Sequence, residues 1–348
     1  MIADRIEAKW IAAFVEVLKL CKVAPGETAA ILSETQSRSL NVHLTELALL
    51  QLGARPFHVI LPTPAQTAPV PVRSTGASTA IQGLEPAVAA LSASGIVLDL
   101  TVEGLLHAKE LPAILGKGAR VLMISNEHPD ALERLAPDPA LEAEVKAAVK
   151  ACKAATTMTV LSAAGTNLTV TMAGARTAGV WGWCDRPGTL AHWPGGVVVA
   201  FPKAGSVNGK LVLDAGDINL TFKRYLERPV ALTLENDYVV DIAGEGTDAE
   251  LMRRYLAAWG DREAYAVSHV GWGLNPKARY EAMAMYDQRD FNGTELRAFA
   301  GNFLFSTGAN EFANRYTEGH FDMPVRNCTI ALDGRIVVDK GTPVRPAA

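Results

Sequence analysis

Two polar side chains, His320 and Asp322, stand two positions apart in the segment TEGHFDMPVRN, residues 317–327. On an extended strand, side chains at i and i+2 project from the same face, so this pair could direct an imidazole and a carboxylate toward one ion. Phe321 between them would then point the other way, into a core. A buried hydrogen-bonded His–Asp pair explains the same pattern, so a metal site needs a third ligand.

The best candidate for that third ligand is His269, which ends a strand-like run in YAVSHVGWGLNP, residues 265–276. Two histidines and one carboxylate on one face of an ion suit Fe(II) and leave coordination positions open for substrate and oxygen. His269, His320 and Asp322 are therefore the candidate ligands of an iron site, and a satisfied buried His–Asp hydrogen bond is the alternative.

Three further residues are candidates for catalysis. His107 follows a predicted parallel strand, and His192 lies beside Trp193 in TLAHWPGG. Because the ends of parallel strands commonly face ligand clefts, both histidines could supply general acid–base chemistry near neutral pH. Ser306, in LFSTG, could donate a hydrogen bond to substrate or oxygen, and a structural turn serine explains the same context.

The composition excludes several classes of partner. The chain has 348 residues, of which 49% are hydrophobic and 20% charged, with a formal net charge of −4 and no run of lysine and arginine. These values are typical of a globular protein and argue against nucleic acid or an anionic membrane as a partner.

The same sequence predicts a cytoplasmic protein. Charged residues interrupt the apolar N-terminal segment, which argues against a secretory signal, and no segment has the uninterrupted apolar length of a membrane span. The four cysteines are scattered and form no C-x-x-C motif, so we expect free thiols in a reducing compartment.

The order of predicted elements divides the chain near residue 155. In residues 1–155, apolar runs such as GIVLDL and ARVLMIS alternate with helical stretches, which indicates βαβ units and a Rossmann-like, mostly parallel sheet. In residues 156–348, period-2 segments with Asn-Asp or Asp-Gly turns predict a mainly antiparallel β domain of the α+β class that carries the metal site. Helices are predicted over 78–93, 104–115, 137–155 and 248–259, and a Pro-rich loop over 62–76.

Motifs of other enzyme classes are missing from the sequence. It contains neither G-x-G-x-x-G nor G-x-x-x-x-G-K-[ST], so the α/β part has no nucleotide-binding signature. G-x-S-x-G and H-E-x-x-H are also absent, which gives no support to a nucleophile elbow or to that type of zinc peptidase.

Five segments together resemble the 2,5-dihydroxypyridine 5,6-dioxygenase family, which cleaves a pyridine ring in bacterial nicotinic acid breakdown. They are HWPGGVVVAFP, GKLVLDAGDI, SHVGWGLNP, GNFLFSTG and HFDMPVRNC, in the same order and with similar spacing. The resemblance covers nearly the whole chain. It implies Fe(II) on His269, His320 and Asp322, a retained histidine at His107 and His192, and conversion of 2,5-dihydroxypyridine and O2 to N-formylmaleamate.

The same segments resemble, more distantly, the aminopeptidase T-type metallopeptidases, which use two metal ions and suggest a homo-oligomer of at least two chains. Where those peptidases carry metal-binding glutamates, this sequence has Gly196 or Val197 and His269, and GNFLFSTG lacks their next histidine. Because a bridged pair of ions needs several carboxylates, the sequence favours one iron ion. A metal-dependent aminopeptidase and a non-catalytic ligand-binding relative are the alternatives.

Overall fold

The structure, a computed structural model, describes residues 5–65, 78–124, 126–290 and 292–344. Most of the predicted loop 62–76 thus lies outside the described residues. The α-helices are α1 (Ala8–Leu20), α2 (Ser39–Gln51), α3 (Glu85–Ser92), α4 (Leu111–Gly116), α5 (Pro129–Arg134), α6 (Pro139–Ala154), α7 (Gly246–Ala258), α8 (Ala282–Met285) and α9 (Thr294–Ala298). Short 3-10 turns cover Arg262–Tyr265, Gln288–Asp290 and Glu311–Ala313.

The strands fall into three sheets and one short ribbon. They are β1 (Thr28–Glu34), β2 (Arg55–Leu61), β3 (Ile96–Asp99), β4 (Arg120–Ile124), β5 (Thr157–Leu161), β6 (Asn167–Thr171), β7 (Arg176–Val180), β8 (Leu190–Trp193), β9 (Val197–Phe201), β10 (Val207–Leu213), β11 (Ile218–Asn219), β12 (Arg224–Tyr225), β13 (Val230–Glu235), β14 (Tyr238–Ala243), β15 (Val267–Gly273), β16 (Phe303–Asn310), β17 (Arg315–Val325), β18 (Thr329–Leu332), β19 (Arg335–Asp339) and β20 (Thr342–Pro343).

The first part of the chain forms a parallel sheet in the order β2-β1-β3-β4-β8. Alternate residues of β1 belong to two different cores, one shared with α1 and α2 and the other with α3 and α4. Because both faces of the parallel sheet are buried in this way, its strands appear in the sequence as continuous apolar runs. The fifth strand, β8, follows residue 155 in the chain although it belongs to the parallel sheet. The predicted domain boundary between residues 155 and 156 stays a prediction.

Two antiparallel sheets follow. Their orders are β14-β13-β10-β6-β5-β18-β19-β20 and β17-β16-β15-β9-β7. Side chains from both sheets and from α7 share one core, which includes Phe303, Phe305 and Phe321. The predicted fold class, with a parallel N-terminal region and an antiparallel C-terminal region, is confirmed. No helix within the described ranges is long and apolar enough to cross a bilayer.

Two predicted helices are shorter than expected because proline sets their first turn. α3 begins at Glu85 rather than at 78, and α4 at Leu111 rather than at 104. Pro86 and Pro112 stand at the second helical position, where the missing N–H costs no helical hydrogen bond but a longer helix toward the N-terminus is disfavoured. The predicted helices at 137–155 and 248–259 match α6 and α7 within two residues at each end.

The strand that carries His269 runs further than predicted. β15 continues to Gly273, so His269 lies inside the strand rather than at its end. The two glycines that suggested a break allow close packing instead: a Cβ at Gly271 would lie 1.9 Å from the carbonyl oxygen of Val198 on β9.

Gly271→Ala should therefore lower the free energy of unfolding by about 1–3 kcal/mol, because the backbone of β9 has to move. Gly116→Ala is the matched control, since its Cβ meets nothing within 4 Å. That change should be neutral or stabilising by about 0.4–1 kcal/mol. Urea unfolding followed by circular dichroism measures both variants, and a Gly271→Ala protein as stable as wild type would contradict the close packing.

Candidate metal centre

Strand register brings the central residues of the site together. His269 on β15 pairs with Ser306 on β16, and Ser306 pairs in turn with Asp322 on β17. Residues directly opposite on antiparallel strands have Cβ atoms about 4.5–5.5 Å apart, so the sheet holds these three side chains in one row. His320 lies two residues before Asp322 and shares its face of β17.

Two irregularities interrupt the strand pairing beside the two histidines. The register of β15 shifts just before His269, and that of β16 shifts just after Gly308. Such bulges bend and twist a strand locally, and they often redirect a functional side chain. Gly308 pairs with His320 at a φ of 123°, and a Cβ there would lie 2.2 Å from the carbonyl oxygen of Gly319. The backbone opposite His320 therefore requires glycine.

His269, His320 and Asp322 converge on one point. Each offers one ligand atom, and these atoms lie within 4.8 Å of one another. The Nε2 atoms of His269 and His320 are 3.7 and 3.2 Å from the same Oδ1 of Asp322. A separation of 3.7 Å is too long for a hydrogen bond and suits donors arranged around a shared ion. In the part of the chain that the structure describes, this is the group of side chains that could hold a metal.

The protonation states of His269 and Asp322 match those that metal binding needs. Burial lowers the pKa of His269 to about 3, so its ring is neutral at pH 7. Burial alone would raise the pKa of Asp322, but the charge of Arg297 and the contact with His320 outweigh it and hold that pKa well below its usual range. A neutral imidazole and an ionised carboxylate are the forms that bind metal ions.

Two side chains from other elements hold the Asp322 carboxylate. The Nε of Arg297 donates to Oδ2, and the Ser306 hydroxyl donates to Oδ1. Ser306 lies within β16 and is fully buried, so it is not a turn serine. Its predicted role as a donor to substrate or oxygen stays a prediction. Arg297 was missed, because nothing in its local sequence distinguishes it from a surface arginine.

The helix that carries Arg297 is anchored by the parallel-sheet part of the chain. The Glu127 carboxylate accepts hydrogen bonds from the backbone N–H groups of residues 292–294, at 2.9, 2.9 and 3.0 Å. Arg134 on α5 forms a bidentate ion pair with Glu295 on α9, with Nη1–Oε1 and Nη2–Oε2 distances of 2.5 and 2.9 Å. The position of Arg297, and through it that of Asp322, thus depends on contacts across both parts.

Both predicted catalytic histidines come from the parallel-sheet side. The ring of His107, in the loop between β3 and α4, lies 5.6 Å from that of His320. His192, on β8, places Nδ1 2.6 Å from the carbonyl oxygen of Pro194. Because a carbonyl only accepts, Nδ1 carries the proton and Nε2 the lone pair. Burial lowers the pKa of His192 to about 4, so its ring stays neutral.

A cavity of about 190 Å³ lies against the cluster. Its lining combines apolar side chains, among them Met123, Val199 and Leu304, with His192, Arg297 and the three cluster residues. Pockets for drug-sized ligands measure roughly 300–1,000 Å³. The smaller volume here suits a single substituted ring better than a peptide chain.

A two-histidine, one-carboxylate cluster beside a small apolar cavity is typical of mononuclear non-haem metalloenzymes. The family model of 2,5-dihydroxypyridine 5,6-dioxygenase (NicX) matches residues 9–345. The 2,5-dihydroxypyridine 5,6-dioxygenase of Pseudomonas putida KT2440 is 36% identical over 337 residues, which cover 96% of this chain and 95% of that protein. The chain therefore belongs to the 2,5-dihydroxypyridine 5,6-dioxygenase family, a family of dioxygenase enzymes, and the predicted relationship is confirmed.

Two solved structures share the fold. That of 2,5-dihydroxypyridine dioxygenase from Pseudomonas putida KT2440 gives a TM-score of 0.93 at 35% identity over 99% of each chain. Wild-type AmpT from Thermus thermophilus gives a TM-score of 0.64 at 15% identity, over 97% of this chain and 99% of its own. The second likeness shows a common fold alone. The aminopeptidase alternative is not favoured, because the family match is to the dioxygenase.

Removing the Ser306 hydroxyl should destabilise the metal-free protein. Ser306→Ala takes a donor from a buried carboxylate, so the free energy of unfolding should fall by about 1.5–3 kcal/mol. Thr307→Val is the matched control one residue along β16, where the buried hydroxyl oxygen has no hydrogen-bond partner within the described ranges. That control should be neutral or stabilising in urea unfolding. Equal losses in both variants would contradict the role of Ser306 in holding Asp322.

His192 should make stability depend on pH. The unfolded chain protonates this histidine near pH 6.5, whereas the buried ring stays neutral down to about pH 4. Its contribution is therefore complete above pH 6.5 and declines as pH falls, by about 2 kcal/mol at pH 5. His192→Gln removes the proton site, so the variant should gain about 2 kcal/mol relative to wild type between pH 7 and pH 5 in urea unfolding. A difference that does not change with pH would rule this out.

Proposed function

We propose that this protein is an Fe(II)-dependent ring-cleaving dioxygenase that converts 2,5-dihydroxypyridine and O2 to N-formylmaleamate, with iron on His269, His320 and Asp322. The observation that carries the proposal is this cluster at the wall of a small apolar cavity, in a chain of the 2,5-dihydroxypyridine 5,6-dioxygenase family. Two imidazoles and one carboxylate are the donor set of non-haem Fe(II) oxygenases.

Held by His269, His320 and Asp322, a bound Fe(II) would supply the activation of O2 that cleavage of an aromatic ring needs. The C5–C6 bond of the ring breaks and both oxygen atoms enter the product, so no further reductant is needed. A single ion suits the residues present. At the positions that the aminopeptidase resemblance equates with a metal-binding glutamate, this chain has Gly196 and Val197, and Val197 lines the cavity.

The chain's own residues fix the anionic ligand and favour an anionic substrate. Arg297 donates to Oδ2 of Asp322 and Ser306 donates to Oδ1, and the Nε2 atoms of both histidines face that same Oδ1. Arg297 also lines the cavity, where its positive charge favours the deprotonated form of a substrate hydroxyl. The apolar walls exclude water and strengthen this interaction.

His192 and His107 have different roles in the removal of a proton from the substrate hydroxyl. His192 is neutral, with Nδ1–H donated to Pro194, so Nε2 is an acceptor that orients a substrate hydroxyl. His107, beside His320, is assigned as the general base, because a carboxylate accepts from its Nδ1 and leaves Nε2 to take the proton.

His320→Ala tests the metal assignment. Protein purified without oxygen and supplied with Fe(II) should consume 2,5-dihydroxypyridine and O2 in equal amounts, followed by absorbance and an oxygen electrode. The variant should lose its bound iron and more than about 100-fold in kcat, since a ligand contributes more than the 10–100-fold of its outer partners. His58→Ala on β2, outside the cavity lining, is the matched control and should retain activity.

Full activity in His320→Ala would overturn the ligand assignment. Release of N-terminal leucine from peptides with zinc or cobalt, without oxygen uptake with iron, would support the aminopeptidase alternative instead. A protein that binds no transition metal after reconstitution would support a non-catalytic relative.

Location and assembly belong to the same proposal. Cys21, Cys152, Cys184 and Cys328 are free and buried, which supports a reducing compartment such as the cytoplasm. Assembly into a homo-oligomer of at least two chains rests on the aminopeptidase resemblance alone.

A further inference from the structure

One polar contact near the cluster joins the two parts of the chain. His107 Nδ1 lies 3.2 Å from Oε1 of Glu311, a residue 204 positions later. His107 stands in the loop between β3 and α4, and Glu311 begins the 3-10 turn between β16 and β17. The contact therefore ties a loop of the parallel-sheet part to the connection that leads into the strand of His320 and Asp322.

This contact fixes which nitrogen of His107 carries the proton. Partial burial would raise the pKa of Glu311, but the hydrogen bond to His107 is the larger influence and lowers it, so the carboxylate is ionised. An ionised carboxylate only accepts hydrogen bonds, so Nδ1 of His107 carries an N–H, and in the neutral form of the ring the lone pair is on Nε2.

The environment of Nε2 of His107 is unusual for a histidine with a purely structural role. The His107 side chain is only 8% exposed, and its Nε2 is buried without a hydrogen-bond partner among the residues that the structure describes. Native proteins rarely leave a buried polar atom unsatisfied without a functional reason. The adjacent ring is that of His320, so the free nitrogen belongs to the surroundings of the cluster.

The backbone of the loop is fixed separately from the ring. The Asp99 carboxylate at the end of β3 accepts hydrogen bonds from the backbone and hydroxyl of Thr101, at 3.0 and 2.7 Å, and from the backbone of Leu105, at 2.8 Å. These contacts hold the chain that leads to His107 but leave its side-chain torsions free. Glu311 supplies the contact that sets the orientation of the ring.

We propose that Glu311 is a positioning residue, which holds His107 in the tautomer and orientation that its role as general base requires. This inference rests on the proposed function, in which His107 is the base. As the O–H bond of the substrate hydroxyl breaks, a new N–H bond forms at Nε2. The Nδ1–H stays bonded to Glu311, whose negative charge stabilises the imidazolium, and no proton passes to the carboxylate.

Glu311→Gln tests the assignment because the amide can also donate to Nδ1 and so stabilise the wrong tautomer. In the iron-loaded enzyme, kcat should fall about 10–100-fold, the range known for groups that orient a metal-bound histidine, while KM stays within about threefold. Bound iron and the thermal unfolding midpoint should match wild type. Glu311→Asp keeps the charge and should recover part of kcat.

The matched control is Glu46→Gln, which removes the carboxylate 3.4 Å from Nε2 of His58. Glu46 lies on α2 and His58 on β2, the edge strand of the parallel sheet, and among the described residues this pair has no contact like that of the His107 ring with His320, so kcat should be unchanged. In the double variant His107→Ala/Glu311→Gln, kcat should be no lower than in His107→Ala alone, because Glu311 acts only through His107.

Two results would overturn the role of Glu311 while leaving the proposed function intact. One is wild-type kcat in Glu311→Gln together with an impaired His107→Ala. The other is a further loss of similar size when Glu311→Gln is added to His107→Ala, which would show a structural effect. Wild-type kcat in His107→Ala would instead overturn the assignment of the base, and the role of Glu311 with it.

Discussion

The structure around the site has to stabilise the buried, negatively charged carboxylate of Asp322. A carboxylate removed from water is strongly unfavourable unless it is paired and hydrogen-bonded. Arg297 donates a hydrogen bond to its Oδ2 and Ser306 donates one to its Oδ1, and Nε2 of His320 lies 3.2 Å from Oδ1. Because these partners come from α9, β16 and β17, both the sheet register and the position of a short helix have to be correct at once.

The position of Arg297 depends on residues of the parallel-sheet part of the chain. α9 has five residues and cannot be stable by itself, so Glu127 and Arg134 from the parallel-sheet part determine where it sits. The cluster lies entirely on antiparallel strands, yet the orientation of its carboxylate depends on the other part of the chain. His107 and His192 reach the same region from that part. The site therefore forms only when both parts are folded and docked.

The fold leaves the chemistry open, and a few positions decide it. AmpT shares this fold at 15% identity, which shows how far a common architecture can diverge in sequence. In this chain, Val197 lines the cavity with an apolar side chain, and His269 contributes a neutral donor beside Asp322. Two imidazoles and one carboxylate are a donor set for a single ion, whereas a bridged pair of ions needs several carboxylates.

The sequence by itself determined what local geometry controls. The two-residue spacing of His320 and Asp322 places them on one face of any extended strand, and alternating or continuous apolar runs separate antiparallel from parallel strands. Local pattern misjudged the starts of α3 and α4 and the extent of β15. Only the tertiary structure decided that His269 lies in one row with Ser306 and Asp322 and that β8 completes the first sheet. It also decided that Arg297 contacts Asp322 and that Glu311 contacts His107. Register, strand order and ion pairs join residues far apart in the chain, so they depend on packing that no short stretch of sequence contains.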